Sequence, residues 1–292
     1  MLFYADKPLK FAFSKDIENT GEILFNNQEK IFGLLGIPFD STSTYQTGAR
    51  FGPLLLRESS YNFENYHLYL DKVLKATFYD LGDVQTIPGN FHKTCKQIEF
   101  TVNEVIEKGY TPIVMGGDHS ISYPVARAVD IHNATVIHFD AHADFRDKYA
   151  GEKYSHATVM RRMWELNPQE IIQIGIRSSS SEEVHFVREE NITQFTARDV
   201  KNDMKNVLKA LEGLEGPIYV TVDMDVLDPA YAPRVGTPAP GGLDPMDLET
   251  LILQLKNKDI IGFDVVEVSS SSVGDITSIN AAKVILDFLF LY

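Results

Sequence analysis

Continuous apolar runs alternate with helical patterns through most of the chain, and that alternation leaves few folds open. The runs cover 31–37, 76–81, 111–115, 134–139, 171–176, 217–222 and 260–266. They are apolar throughout, not at every second residue, as strands buried on both faces require. Helical patterns fill the gaps at 91–108, 120–128, 156–166, 197–214 and 247–256, and 278–290 closes the chain. Such alternation makes a mostly parallel sheet covered by helices on both sides. No repeat, low-complexity tract or Pro/Gly-rich linker divides the 292 residues. The expectation is therefore a single α/β domain over 1–292, in three α/β/α layers around a mostly parallel central sheet. Segment 1–30 has less pattern and is expected to pack over the domain or over a neighbouring subunit. The loop 40–52 is a candidate rim of a site, and Gly52-Pro53 fits the helix start that follows it, since proline suits a first turn.

Three of the runs lead into blocks of acids and histidines: Gly116-Gly117-Asp118-His119-Ser120, Asp140-Ala141-His142-Ala143-Asp144 and Asp223-Met224-Asp225-Val226-Leu227-Asp228-Pro229. Open α/β sheets bind ligands just beyond the carboxyl ends of their strands. Convergence of three ends would gather His119, Asp140, His142, Asp144, Asp223 and Asp225 into one cluster. Residues two apart in an extended segment face the same way, so Asp140, His142 and Asp144 can address one point, and Asp223 and Asp225 another. A single aspartate at a strand end is ordinarily a turn former or helix cap. Three blocks together are not explained that way, because so many carboxylates cannot share a dry pocket unless cations neutralise them. Carboxylates and imidazoles without a thiolate suit a harder divalent ion; Mn²⁺ fits best, with Mg²⁺, Fe²⁺ and Co²⁺ open. Bridging carboxylates would hold two such ions roughly 3.5–4 Å apart, with a water between them acidified toward hydroxide.

With Glu267 in Asp264-Val265-Val266-Glu267-Val268, these blocks resemble the ureohydrolase family, the arginases, agmatinases and their relatives. The resemblance runs from Gly36-Ile37-Pro38-Phe39-Asp40 and Gly48-Ala49-Arg50-Phe51-Gly52-Pro53 to the last helix. It implies an arginase-like fold, two Mn²⁺ per subunit, and a bridging hydroxide that attacks a guanidinium carbon and releases urea. On the same resemblance Asp140 and Asp223 bridge the metals, His119 and Asp144 complete one ion, and His142 and Asp225 the other. Asp144 would also accept a hydrogen bond from the hydroxide. Glu267 would orient the guanidinium, for which a planar carboxylate is the matching partner; otherwise it is a structural ion pair. His156, in Ser155-His156-Ala157-Thr158, would shuttle a proton to the leaving amine; otherwise it is a surface or capping histidine. Homotrimers or homohexamers are implied as well.

The stretch Phe145-Arg146-Asp147-Lys148-Tyr149-Ala150-Gly151-Glu152 lacks the Asn- and Ser-containing loop of arginases and resembles bacterial and archaeal agmatinases. It implies a small cationic guanidino substrate, agmatine, cleaved to putrescine and urea. Aminopropylagmatine, guanidinobutyrate, arginine and formiminoglutamate are the alternatives. Arg146 would favour a carboxylate-bearing substrate if it turned inward; pairing with Asp147 or a neighbouring acid is the expectation. Ser270-Ser271-Ser272-Val273-Gly274-Asp275 stands where relatives carry Pro-Pro-Tyr-Asp, in a loop that borders the family's site.

Other residues carry plainer expectations. Asp118 and Asp228 read as turn formers or supports of the ligands, and His138 as a core residue of its strand or a support of the ligands, with direct ligation the alternative. His67, His92, His132 and His185 read as surface residues, and Cys95 as a small core hydrophobe. Gly116-Gly117 lacks the Gly-Lys-Ser/Thr of a phosphate loop and reads as room for backbone to approach the metals. Residues 178–181 with Glu182-Glu183 read as a cap of the next helix, and the aromatic stretch 61–70 as core or subunit contact. The net charge of −14 argues against a nucleic-acid partner and favours cations. Neither a signal peptide nor a membrane-spanning stretch is recognisable, and one cysteine rules out intramolecular disulfides, so a cytoplasmic location is expected.

Overall fold

The computed structural model describes residues 9–16 and 30–292. Its strands are β1 (Ile31–Gly36), β2 (Tyr66–His67), β3 (Lys72–Val73), β4 (Thr77–Asp83), β5 (Tyr110–Met115), β6 (Thr135–Phe139), β7 (Glu170–Ile176), β8 (Thr193–Thr196), β9 (Pro217–Asp223) and β10 (Asp259–Val266). Its α-helices are α1 (Gly52–Ser60), α2 (Phe91–Glu107), α3 (Ser122–Ala128), α4 (Val159–Trp164), α5 (Ser181–Glu189), α6 (Ala197–Asn202), α7 (Met204–Glu212), α8 (Pro245–Leu253) and α9 (Ile276–Leu289). Eight strands form one sheet in the order β4-β1-β5-β10-β9-β6-β7-β8, every neighbouring pair parallel. β2 and β3 make a separate small hairpin.

Alternate residues of each central strand feed two different cores. Ile113 and Met115 pack in one core and Val114 in the other; Ile218, Val220 and Val222 oppose Tyr219 in the same way. Helices α1, α6, α7, α8 and α9 cover the first face, and α2, α3, α4 and α5 the second. This is the three-layer α/β/α arrangement expected, with β5, β10, β9 and β6 side by side at its centre. Register sets their carboxyl ends level: Met115 lies opposite Val265, Asp223 opposite Val266, and Phe139 opposite Val222. The three acidic blocks and Glu267 therefore issue from four adjacent strand ends.

The helical pattern 197–214 breaks into α6 and α7 at Asp203, whose side chain caps α7 by accepting from Asn206 N–H at 3.3 Å. Pattern 156–166 starts as a single 3₁₀ turn before α4, and α3 likewise follows one at His119–Ile121. The expected helix start at Gly52-Pro53 is α1, and Ser180 with Glu183 forms a capping box at α5. Of segment 1–30, residues 9–16 and 30 are described, and the rest of that expectation lies outside them. Phe11 is buried edge-on against Phe78 at 6.5 Å, and Ala12 N–H donates to Ser60 Oγ at 2.8 Å, so this piece packs on the domain itself. Among the described residues, no helix is long and apolar enough to cross a membrane.

Candidate metal centre

Every residue expected in the cluster arrives there. His119 Nδ1 lies 3.1 Å from Asp140 Oδ2, 3.4 Å from Asp144 Oδ2 and 3.4 Å from Asp223 Oδ2. His142 Nδ1 lies 2.8 Å from Asp225 Oδ2 and 3.5 Å from Asp140 Oδ1. The two carboxylate oxygens of Asp140 thus face different imidazoles, which is how a bridging ligand is disposed. Donor atoms that share one octahedral ion at roughly 2.1 Å stand roughly 3 Å apart, close to the spacing here. His119, Asp140 and Asp223 are buried, while His142 is partly exposed and opens onto a cavity.

The hydrogen bonds show that these atoms want a cation. His119 Nε2 lies 2.9 Å from Thr221 Oγ1, whose own proton goes to Asp264 Oδ1 at 2.6 Å. Nε2 must therefore be the donor, and Nδ1 of a neutral ring is left with a lone pair. That buried Nδ1 has no hydrogen-bond partner and faces three carboxylates. A lone pair among anions is stable only around a positive charge, a metal ion or a proton. Burial opposes protonation of His119, yet Asp140, Asp144 and Asp223 outweigh it and raise its pKa well above the usual value.

The carboxylates report the same crowding. Burial and the charge of Asp140 push Asp144 up to about 7, and burial, Asp225 and Asp140 raise Asp223 well above the carboxylate range. Burial and Asp140 raise Asp225 as well. Asp140 goes the other way: burial opposes its ionisation, but His138, His119 and His142 hold it well below its ordinary value. A central carboxylate stays charged while its neighbours are driven to hold protons. Metal ions would replace those protons.

His138 comes close enough to count as a possible ligand, but its bonding assigns it otherwise. Gln173 Nε2 donates to His138 Nδ1 at 2.8 Å, so Nε2 carries the proton and donates to Asp140 Oδ2 at 2.7 Å. It aims the carboxylate, as expected of a supporting residue. Asp118 also supports: it caps the turn carrying His119 by accepting from Ser120 N–H at 3.1 Å. Asp228 accepts from the backbones of Ala230, Gly241 and Gly242 as a turn residue.

Glu267 is buried at the end of β10, and its Oε1 accepts from His119 N–H at 2.7 Å. The other oxygen passes so close to Gly236 that a Cβ there would sit 2.3 Å from Oε2. Burial and Asp118 push its pKa up to about 8. Asp144 and Glu267 both take left-handed backbone, with φ of 55° and 66°. Non-glycine residues are held there at a cost, and such positions cluster at functional sites.

Beside the cluster lies a cavity of about 250 Å³, lined by His142, Asp144, Arg146, Tyr149, His156 and Ser178–Ser180. Glu183 also reaches it, as does Thr237. Burial pulls the His156 imidazole down to about 4, so its resting state is neutral. Arg146 pairs with Glu183 at 3.7 Å and stacks over Tyr149 at 5.4 Å, while Asp147 pairs with Arg162. The neighbouring acid foreseen for Arg146 is thus Glu183. The loop 270–275 does not line this cavity, and Asp275 caps α9.

Two expectations fail. His67 is buried, not on the surface: its Nε2 lies 3.1 Å from Glu249, which with Asp287 also holds the Lys283 ammonium. Sequence spacing gives no hint of this, because His67, Glu249 and Asp287 come from distant elements. Gly116 and Gly117 make room for protein backbone and side chain, not for metals, since a Cβ on Gly117 would meet Phe39 O at 1.8 Å and one on Gly116 would meet Val266 at 2.4 Å. His92, His132 and His185 are exposed as expected.

Arg177 was not anticipated. Its guanidinium donates to the carbonyls of Gly175, Asp225, Val226, Leu227 and Ala239, which pins the turn carrying Asp225. An arginine directly after an apolar strand was the available signal. Cys95 is buried, donates to Glu99 Oε1 at 3.2 Å, and is pushed up to about 12 by burial first and Glu99 second. Native protein at pH 8 is expected to react with a thiol reagent roughly 10³-fold more slowly than denatured protein, since the thiolate is the reactive form. Equal rates would place Cys95 in a different environment.

Residues 30–291 match the model of the arginase family. A 32.2 kDa uncharacterised protein of Methanothermus fervidus is 52% identical over 97% of this chain and 98% of its own length. The N(1)-aminopropylagmatine ureohydrolase of Thermococcus kodakarensis is 38% identical over 87% of this chain and 88% of its own. Among solved structures, the agmatine ureohydrolase of Thermoplasma volcanium superposes with a TM-score of 0.84 at 35% identity, covering 98% of this chain and 94% of that one. The chain belongs to the arginase family. It is a ureohydrolase, a hydrolase acting on guanidino compounds of the kind agmatine represents.

Proposed function

We propose that this ureohydrolase is an Mn²⁺-dependent agmatinase that converts agmatine to putrescine and urea. The observation that carries the reading is Asp140 facing two imidazoles with its separate oxygens, one of them His142, which with Asp144 lines a cavity shared with Arg146 and Tyr149 of the agmatinase-like loop. His119, Asp140, Asp144 and Asp223 would hold one ion, and His142, Asp225, Asp140 and Asp223 the second. Mn²⁺ suits this oxygen-rich donor set. When bound, the ions supply a hydroxide nucleophile at neutral pH.

The chain's own groups do the rest. Glu267 Oε2, free of the His119 N–H that occupies Oε1, accepts from the planar guanidinium and turns its carbon toward the metal side. Asp144 would accept a hydrogen bond from that nucleophile. His156 sits on the cavity wall with Tyr149 edge-on against its ring at 5.4 Å; neutral at rest, it would take up a proton from solvent and pass it to the departing amine. Glu183, Tyr149 and Thr44 also line the cavity and would meet the substrate's ammonium. Arg146 is engaged by Glu183, which favours a substrate with no carboxylate.

Aminopropylagmatine is the second reading, favoured by the similarity to the Thermococcus kodakarensis N(1)-aminopropylagmatine ureohydrolase. Putrescine formation would place the protein in polyamine biosynthesis, as a homotrimer or homohexamer in the cytoplasm. Urea release from agmatine, aminopropylagmatine, guanidinobutyrate and arginine, measured side by side with Mn²⁺-loaded protein, tests the substrate. Agmatine is expected to show the highest kcat/KM. Preference for guanidinobutyrate or arginine would overturn the reading and make Arg146 an anion clamp.

A further inference from the structure

Thr42 lies in the loop between β1 and α1, half-buried beside the cavity wall. Its backbone N–H donates to Asp118 Oδ2 at 2.9 Å, and Asp118 caps the turn that presents His119. Its hydroxyl reaches His156. Thr42 Oγ1 accepts from His156 N–H at 3.0 Å and lies 3.2 Å from Nδ1 of the same histidine. One threonine therefore joins the first ligand turn to both the backbone and the ring of His156.

A hydroxyl has a single proton and two lone pairs. With one lone pair taken by the His156 amide, the hydroxyl can donate its proton to Nδ1 of a neutral ring or accept from Nδ1–H through its second lone pair. Either way the contact fixes the ring against Thr42. If the ring gains a second proton, Nδ1–H donates to the remaining lone pair of Oγ1 and the contact survives. The same hydroxyl can serve the ring before and after it transfers a proton, with only a rotation of its own O–H.

We propose that Thr42 is a positioning residue of the reaction, holding His156 in a single ring orientation and tautomer and locking its ring to the Asp118–His119 turn. The proposal rests on the proton-transfer role assigned to His156 above. Thr42 itself touches no reacting atom and acts through the histidine.

Thr42→Val and Thr42→Ser separate this from simple packing. Valine keeps the shape and loses the hydroxyl; serine keeps the hydroxyl. With Thr42→Val, kcat is expected to fall roughly 10–100-fold, part of the 10²–10⁴ that acid–base catalysis supplies, with KM little changed. The limb of the kcat–pH profile that belongs to His156 should shift, and Thr42→Ser should restore both. Histidine ¹⁵N resonances of the metal-free proteins give a readout independent of turnover. Wild type and Thr42→Ser should show His156 as one tautomer, and Thr42→Val a mixture of tautomers. Wild-type kcat with an unchanged tautomer in Thr42→Val would overturn the proposal. So would equal impairment of both variants with the tautomer unchanged, since that marks loop packing alone. Full activity of His156→Asn would instead remove the underlying role of His156, while the resonances still judge the contact made by Thr42.

Discussion

Asp140→Asn is expected to lower urea release at least roughly 10³-fold, a loss of about 4 kcal/mol of transition-state stabilisation. Asparagine fills the same volume but has no charge and a single good ligand oxygen. Asp140 is the one carboxylate held well below its usual pKa while its neighbours are pushed up. Removing its charge should relieve Asp144 and Asp223 but forfeits the pairing of Asp140 with His138, His119 and His142, so the metal-free variant should melt cooperatively at a Tm below that of metal-free wild type. Activity falls in a folded protein, which distinguishes loss of the centre from unfolding. A urea assay with a melting curve checks both, and activity within tenfold of wild type would remove Asp140 from its bridging role.

The second large effect is on stability and its pH dependence. In the metal-free protein Asp144 is pushed up to about 7, and Asp223 and Asp225 are also raised. An unfolded chain releases such protons near pH 4. Between about pH 4 and 7 the folded state thus binds more protons than the unfolded one, and stability from these groups falls as pH rises. Asp140 has the opposite sign: its depressed pKa contributes stability above the unfolded value that is lost in acid. Metal ions displace the protons and remove the penalty. Mn²⁺ at 1,000 times its Kd would add about 4 kcal/mol, or roughly 8 °C in Tm. The gap in Tm between Mn²⁺-loaded and chelator-treated protein should widen from pH 5 to pH 8. Melting curves across that range test it, and a gap that is constant or narrows with pH would contradict the account.

Much of this was legible in the sequence because buried parallel strands leave a strong mark. The runs at 111–115, 134–139 and 217–222 are β5, β6 and β9 within a residue, and the acidic blocks stand directly after them. What the pattern could not give was strand order. That β10 lies between β5 and β9, bringing Glu267 against the His119 amide, follows from crossover connections invisible in local periodicity. Edge strand β8 was missed because Thr193–Thr196 is short, polar and only partly buried. The break at Asp203 was missed because its side chain caps a new helix where the apolar spacing simply continues. Thr42 and Arg177 escaped notice for a related reason: each acts through hydrogen bonds to groups far away in sequence, and neither residue type is distinctive in itself.

The most direct measurement is the metal content and electron paramagnetic resonance spectrum of protein reconstituted with Mn²⁺ and freed of excess ion. The account predicts two manganese ions per chain and the spectrum of an exchange-coupled pair, as a shared Asp140 and Asp223 would enforce. One ion per chain with an isolated six-line Mn²⁺ signal, in protein that releases urea at full rate, would contradict it.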